Sequence, residues 1–506
     1  MSTALNPPPD VADEERSNDE SHDEQGHGAT LTTTSTGLSS AEAPSRAKIW
    51  LVGIPVLIGV TTIALRPITD PDTWWNLRAG QWLRQTWQFA GPDPFSTFSA
   101  HDFILTEWAG DVIASIGYDL VGPGAVVFLR ALSVIVLTAL FLASARREAD
   151  LVPAVMATFF GLSTAPAIQE RPLAAGVVFT MVAVILWRRA AADLRPSWWL
   201  VPLSWVWAST HGSWSIGPVI GVATFLGLLG DRRMDRRAGV RFIGVVLASI
   251  VVAGLTPVGP RLLALPLTIR SAASGLVAEW TFVDLTNPTA LVVVGVGVLL
   301  VLGWLRRGSA PSWWKVAHCA LALALALSYN RMITIAACVL VPLVAEGLQT
   351  MRRRPVTKTS TSTHLRERRH LVAGAGIAVV LAAALCVPVS RLDRIPGAAF
   401  EPRLDAMPVG TVLFDWYDLS SRLVFAEPQL HLVIDTRIEV YDTAYVAAYV
   451  AAVRAQPGWE AFVDRTGATR ALLPMDAPLA VALQEQKGWQ VLQRSGDDVL
   501  LAAPVG

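Results

Sequence analysis

Long apolar stretches recur from near residue 49 to near residue 388, separated by short polar loops. A helix needs about 20 residues to cross a hydrocarbon core of about 30 Å. By that measure eleven segments qualify, near 49–66, 123–145, 151–168, 171–188, 198–210, 213–230, 240–256, 288–305, 313–329, 332–350 and 371–388. Two are short enough to be half-spans. Ahead of them, residues 1–45 combine Pro, Ser, Thr, Asp and Glu with almost no large apolar side chain, too little to offset ordering entropy, so a disordered tail is expected. After Val389 the period changes. Short β-rich runs (Thr411–Phe414, Leu430–Ile434, Ala471–Leu473, Trp489–Leu492, Val499–Ala502) alternate with helical stretches around 443–456 and 476–486. The pattern predicts a polytopic α-helical membrane protein in three parts: a tail at 1–45, a transmembrane region at 46–389, and a C-terminal α/β domain at 390–506.

Charge sets the orientation. Only 16% of residues are charged and 52% are hydrophobic, against about 25% charged for soluble proteins, which excludes an ordinary cytosolic enzyme. Lys+Arg and Asp+Glu are both 41, so there is no basic excess to bring in nucleic acid. Basic residues gather in alternate loops: Arg146-Arg147, Arg188-Arg189 with Arg195, Asp231 to Arg241, Arg306-Arg307 with Lys315, and Met351 to His370. The positive-inside rule puts these loops and the N-terminus in the cytoplasm, and an odd number of spans leaves the C-terminal domain outside. The first apolar run lies too far into the chain, behind an acidic tail, to be a cleaved leader. Arg is used far more than Lys, which with the Ala content suggests a GC-rich bacterial genome and a bacterial plasma membrane. Pro-Ser-Trp-Trp occurs at 196–199 and at 311–314, where Trp suits the membrane interface. The three cysteines, Cys319, Cys338 and Cys386, all lie in apolar runs without a CxxC spacing, which argues against disulfides and zinc.

Candidate chemistry concentrates in the first external loop, 66–107, which holds Asp70, Asp72, Asp93, Asp102 and Glu107. Trp75, Ala79, Trp82 and Leu83 follow Asp72 at helical spacing, predicting a helix in the outer interface. Asp72 could simply cap that helix, and Asp93-Pro94 could simply make a turn. Two carboxylates two residues apart at a membrane surface also suit a general base whose neighbour binds a metal or tunes its pKa.

The loop resembles bacterial members of the GT-C superfamily, polytopic glycosyltransferases related to the protein mannosyltransferases. The resemblance rests on Asp70-Pro71-Asp72 with Trp74-Trp75, on Gly91-Pro92-Asp93-Pro94-Phe95-Ser96 and on Glu107-Trp108. It continues through Arg171-Pro172, His211-Gly212, Thr256-Pro257-Val258-Gly259-Pro260-Arg261, Glu279-Trp280 and Arg331 to Asp435-Thr436-Arg437. Two positions depart from the family pattern: Asn76 stands where a His is expected, and Thr256-Pro257-Val258-Gly259 replaces Asn-Pro-Tyr-Gly.

The resemblance implies transfer of a sugar from a polyprenyl-phosphate carrier to an envelope glycan, lipid or protein on the outer face of the membrane, with membrane lipid as a further partner. It places the base at Asp72 or Asp70. Phosphate contact is expected from Arg331, Arg171 and His211, since ionisable residues at the ends of spans are costly unless paired or wet; an ion pair of Arg171 with Glu170 or a loop carboxylate is the plainer reading. Trp75, Asn76, Asp93, Glu107, Glu279, Asp435 and Arg437 complete the candidate set. Whether a divalent metal ion takes part stays open at this level, as do two other functions, a flippase of lipid-linked sugars and a non-catalytic assembly protein.

Overall fold

In hydrocarbon every backbone N–H and C=O must be bonded within its own segment, so apolar runs of this length become helices. The computed structural model describes residues 57, 60–61, 64–264, 283–284, 286–307, 311–352, 361–391 and 397–504. Two helices belong to the 66–107 segment and its edge: α1 (Asp72–Thr86) and α2 (Trp108–Val121). The apolar runs give α3 (Gly124–Glu148), α4 (Leu151–Leu162), α5 (Leu173–Asp193), α6 (Leu200–Thr210), α7 (Ile216–Gly230) and α8 (Arg236–Ala253). They continue as α9 (Pro288–Arg307), α10 (Trp313–Ala326), α11 (Ile333–Met351) and α12 (Thr361–Ser390).

Among the described residues six helical stretches are long and apolar enough to cross a membrane: 124–148, 173–193, 212–230, 288–307, 330–351 and 366–390. Four further expected spans (α4, α6, α8 and α10) are helices of 12, 11, 18 and 14 residues. The first expected span lies mostly outside the described residues, as do the 1–45 tail and much of the 351–370 tract. The bundle core is built on Phe141, Met181, Trp187, Trp207 and Phe242, all essentially inaccessible. By contrast α12 leaves Val372, Ile377, Val380 and Leu385 uncovered, and α9 leaves Leu291, Leu299 and Leu305 so. Apolar stripes of that kind are stable against lipid tails rather than water.

Between α1 and α2 the chain makes a two-stranded ribbon, β1 (Ala90–Gly91) against β2 (Phe103–Ile104). The two helices pack closely because residue 80 has no side chain. A Cβ at Gly80 would lie 2.1 Å from the Asp111 carbonyl oxygen and 2.7 Å from Ser115 Oγ. Gly80→Ala is therefore expected to cost about 1–3 kcal/mol by overpacking and to push α2 away from α1. Gly244→Ala, with nothing within 4 Å of its Cβ, is the neutral control. Thermal unfolding in detergent measures both.

Residues 397–504 form a five-stranded sheet in the order β4-β3-β5-β7-β6. Its strands are β3 (Val412–Asp415), β4 (His431–Leu432), β5 (Arg470–Pro474), β6 (Gln490–Ser495) and β7 (Asp498–Ala502). β3 runs parallel to β4 and β5, and β7 antiparallel to β5 and β6. Central β5 is apolar on both faces (Ala471, Leu472, Leu473), as a strand covered on both sides must be, whereas edge strand β6 keeps Gln490 and Arg494 outward. The expected helices appear at Thr443–Val453 and Pro478–Lys487. Two more, Tyr417–Ala426 and Trp459–Thr466, were not anticipated. The first of these carries Arg422, paired with Glu401 and stacked 4.3 Å over the Trp74 ring of α1, which joins this sheet to the 66–107 segment.

Candidate functional site

Asp72 does not cap α1. The N-cap is Pro71, whose side chain can make no capping bond, and Asp72 is the first helical residue. The local task falls to Asp70, whose Oδ1 accepts the Asp72 N–H at 3.1 Å. The Asp72 carboxylate is about 30% exposed, while Asp70 is buried.

Both carboxylates meet one cation. The connection from α4 to α5 presents Glu170-Arg171-Pro172, and Arg171 Nε lies 2.8 Å from Asp70 Oδ2 while its Nη1 lies 2.6 Å from Asp72 Oδ2. The Gln169 side-chain oxygen accepts from Nη2. So the ion pair weighed from sequence is formed, with Asp70 and Asp72 rather than with the adjacent Glu170. Glu170 is instead buried against Arg130 of α3, with Arg66 Nε at 3.5 Å, and its Oε2 accepts the amides of Thr69 and Asp70 at 3.3 and 3.2 Å. Arg130 spends its remaining donors on the carbonyls of Ala64, Arg66 and Pro67. The backbone leading into Asp70 is thus fixed by a buried charge pair anchored in the helical bundle.

Glu107, just ahead of α2, lies in the same cluster. The charges of Arg331, Arg171 and Asp72 all act on its carboxyl, which burial nevertheless pushes above the usual range. Its Oε1 is 3.3 Å from Nε2 of His211, which also meets Arg331 Nη2 at 2.7 Å. Burial, then Arg331 and Arg171, hold the imidazole well below its ordinary pKa, so His211 is neutral. Nδ1 of the same ring accepts the Ser213 N–H at 3.0 Å. One turn beyond Glu107, buried Asp111 accepts from Asn76 Nδ2 at 2.7 Å. Desolvation, then the Glu107 charge, pushes the Asp111 carboxyl well up, with the Asn76 bond opposing. Asn76, at the position where the family pattern has His, is therefore a buried donor to a carboxyl group. Asp111 was missed because it sits alone in an apolar helix whose facing residues come from another segment.

Asp93, Trp75, Asp435 and Arg437 come together as a clasp. Arg437 bonds Asp435 and reaches Asp93 Oδ1 at 2.7 Å, with its guanidinium 4.2 Å over the Trp75 ring. Trp75 in turn meets Phe95 and Phe103 edge-on at 4.9 and 5.6 Å. Asp93 also makes the expected turn, accepting the Phe95 N–H at 3.1 Å. Three residues on, the Val440 carbonyl accepts from Ala100 and His101 at 2.8 and 3.0 Å. Glu439, which sequence reasoning did not single out, is exposed between these anchors. The charges of Arg437, Asp435 and Asp72 all act on its carboxyl. Glu279 lies outside the described residues, and Asp284 only caps its own turn through Thr286.

A divalent cation at the Asp70–Asp72 pair would need the place the Arg171 guanidinium takes, so the pair as built does not fit one. Among the described residues no group of three or more His, Cys, Asp and Glu is arranged to hold a metal ion.

No family model and no curated protein matches the chain. Solved structures do. The oligosaccharyltransferase of Archaeoglobus fulgidus in the apo form matches with a TM-score of 0.56 at 12% identity, over 85% of this chain and 70% of that one. The same organism's AglB in complex with an inhibitory peptide and a dolichol-phosphate matches with a TM-score of 0.56 at 12% identity, over 90% and 75%. ArnT from Cupriavidus metallidurans bound to undecaprenyl phosphate gives a TM-score of 0.50 at 12% identity, over 90% and 98%. This chain shares its fold with these solved structures.

Proposed function

We propose that this chain, built on the GT-C fold, transfers a sugar from a polyprenyl-phosphate carrier to a cell-envelope acceptor at the outer face of a bacterial plasma membrane. In this reading the N-terminus is cytoplasmic, the C-terminal sheet is outside, and the 66–107 segment faces it. The observation that carries the proposal is the Asp72 carboxylate, partly exposed and held by Arg171, in one charge cluster with Glu107 and the Arg331–His211 pair. A phosphate is already a good leaving group, so the reaction needs a base for the acceptor hydroxyl and positive charge for the departing phosphate. Asp72 takes the hydroxyl proton as that oxygen attacks the anomeric carbon. The bond to the phosphate oxygen breaks on the opposite face, with inversion, and Arg331 meets the released charge. His211, neutral and against Arg331, orients the guanidinium. Glycosyltransferase activity is favoured over a flippase by the carboxylate–arginine cluster itself, for which moving a lipid has no need.

Two experiments test this. Mass spectrometry of envelope glycans, lipids and proteins from a deletion strain should show one class of glycosylated product missing, and an unchanged envelope counts against the proposal. Arg331→Ala should weaken binding of undecaprenyl phosphate by about 10-fold or more, since charge-assisted hydrogen bonds contribute about 1.5–3 kcal/mol. Arg331→Lys should restore only part of it, lacking the planar fork. Unchanged affinity in a folded Arg331→Ala variant moves the phosphate site elsewhere.

A further inference from the structure

The three oxygens around the Arg171 guanidinium come from two pieces of chain. Asp70 Oδ2 and Asp72 Oδ2 lie before and at the start of α1, and Gln169 Oε1 precedes α5. Asp70 has a second hold besides Arg171. Asp70 is fixed by its bond from the Asp72 amide and by the Glu170–Arg130 pair that grips its own amide. The backbone of Asp72 is placed by the first turn of α1, and that of Gln169 by the same short connection that carries Glu170. The donor set is two carboxylates and a carboxamide, all hard oxygens converging on one positive centre, the chemistry that Mg2+ and Mn2+ take.

We infer that the Arg171 guanidinium stands in place of a divalent cation at the Asp70–Asp72 pair, and that removing it converts these three oxygens into a divalent-cation site. Arg171 is then a positioning residue: a fixed, non-exchangeable positive charge that holds two carboxylates at close range, where they would otherwise repel each other. A guanidinium does this without any dependence on ion supply, because it stays protonated throughout the working pH range. The inference concerns the chain's own charges and stands whether or not sugar transfer is its activity.

Mn2+ is the probe, and electron paramagnetic resonance titration of the purified full chain in detergent is the readout. Wild type and Asp72→Asn should retain Mn2+ equally and weakly, with no site filled below about 1 mM, the weak end for oxygen-ligand sites. Arg171→Met should gain one site at least about 10-fold tighter, raise its unfolding temperature on adding Mn2+, and lose both effects in Arg171→Met/Asp72→Asn. Mn2+ held stoichiometrically by wild type and lost in Asp72→Asn overturns the inference. So does a folded Arg171→Met variant that binds no more Mn2+ than wild type. Should Arg171→Met fail to fold, Arg171→Ala is measured in its place, and a folded variant that binds no more Mn2+ than wild type overturns the inference.

Discussion

Asp72→Asn is expected to lower turnover by at least about 10²-fold, the low end of general-base contributions, with normal expression and unfolding temperature. The substitution separates two roles. Asn caps a helix about as well as Asp, so a capping residue would tolerate it, and in the structure the N-cap position belongs to Pro71, with Asp72 the first helical residue. What Asn cannot do is accept the acceptor's proton. Asp70 is the weaker candidate, because it is buried, accepts the Asp72 amide on Oδ1 and meets Arg171 on Oδ2. Asp70→Asn should therefore disturb the geometry of the pair more than its chemistry. Near-normal turnover of both single variants, at matched amounts of folded protein, would remove the 66–107 segment from the chemistry.

The largest effect on stability is expected from Arg130→Leu, at about 3–5 kcal/mol, the range for removing one partner of a buried ion pair. The change leaves the Glu170 carboxylate with only the more distant Arg66 and strips the carbonyls of Ala64, Arg66 and Pro67 of their donor. Because Glu170 also holds the amides of Thr69 and Asp70, activity should fall with stability. Arg130→Leu/Glu170→Leu should be more stable than the single variant, since it leaves no uncompensated charge. Thermal unfolding in detergent reads both. A double variant less stable than Arg130→Leu would mean that Glu170 contributes mainly through the amides it binds.

Much of this architecture is legible in the sequence because lipid imposes a strong pattern. Ten of the expected spans fall on helices that the structure describes, and the strands at 412–415, 470–474 and 498–502 sit where the short β-rich runs predict them. Helix α1 was readable from Trp75, Ala79 and Leu83, one face of a helix. The helices Tyr417–Ala426 and Trp459–Thr466 were not, since short amphipathic segments between turns carry little periodic signal. Partnerships were hardest to see. Arg437 and Asp93 are 344 residues apart, and nothing local to either names the other. Arg130 lies in an apolar run where one arginine reads as an interruption, yet it is the residue that fixes the backbone at Asp70. Asp111 and Glu439 likewise become visible only when Asn76 and Asp72 are brought beside them.

The central claim is turnover of a lipid-linked sugar at Asp72. Purified protein in lipid vesicles, given a panel of undecaprenyl-phosphate-linked sugars and total envelope acceptors, should release undecaprenyl phosphate with at least one donor, and Asp72→Asn should not. Movement of a donor across the bilayer without release of the lipid phosphate, equal in wild type and Asp72→Asn, would contradict the account.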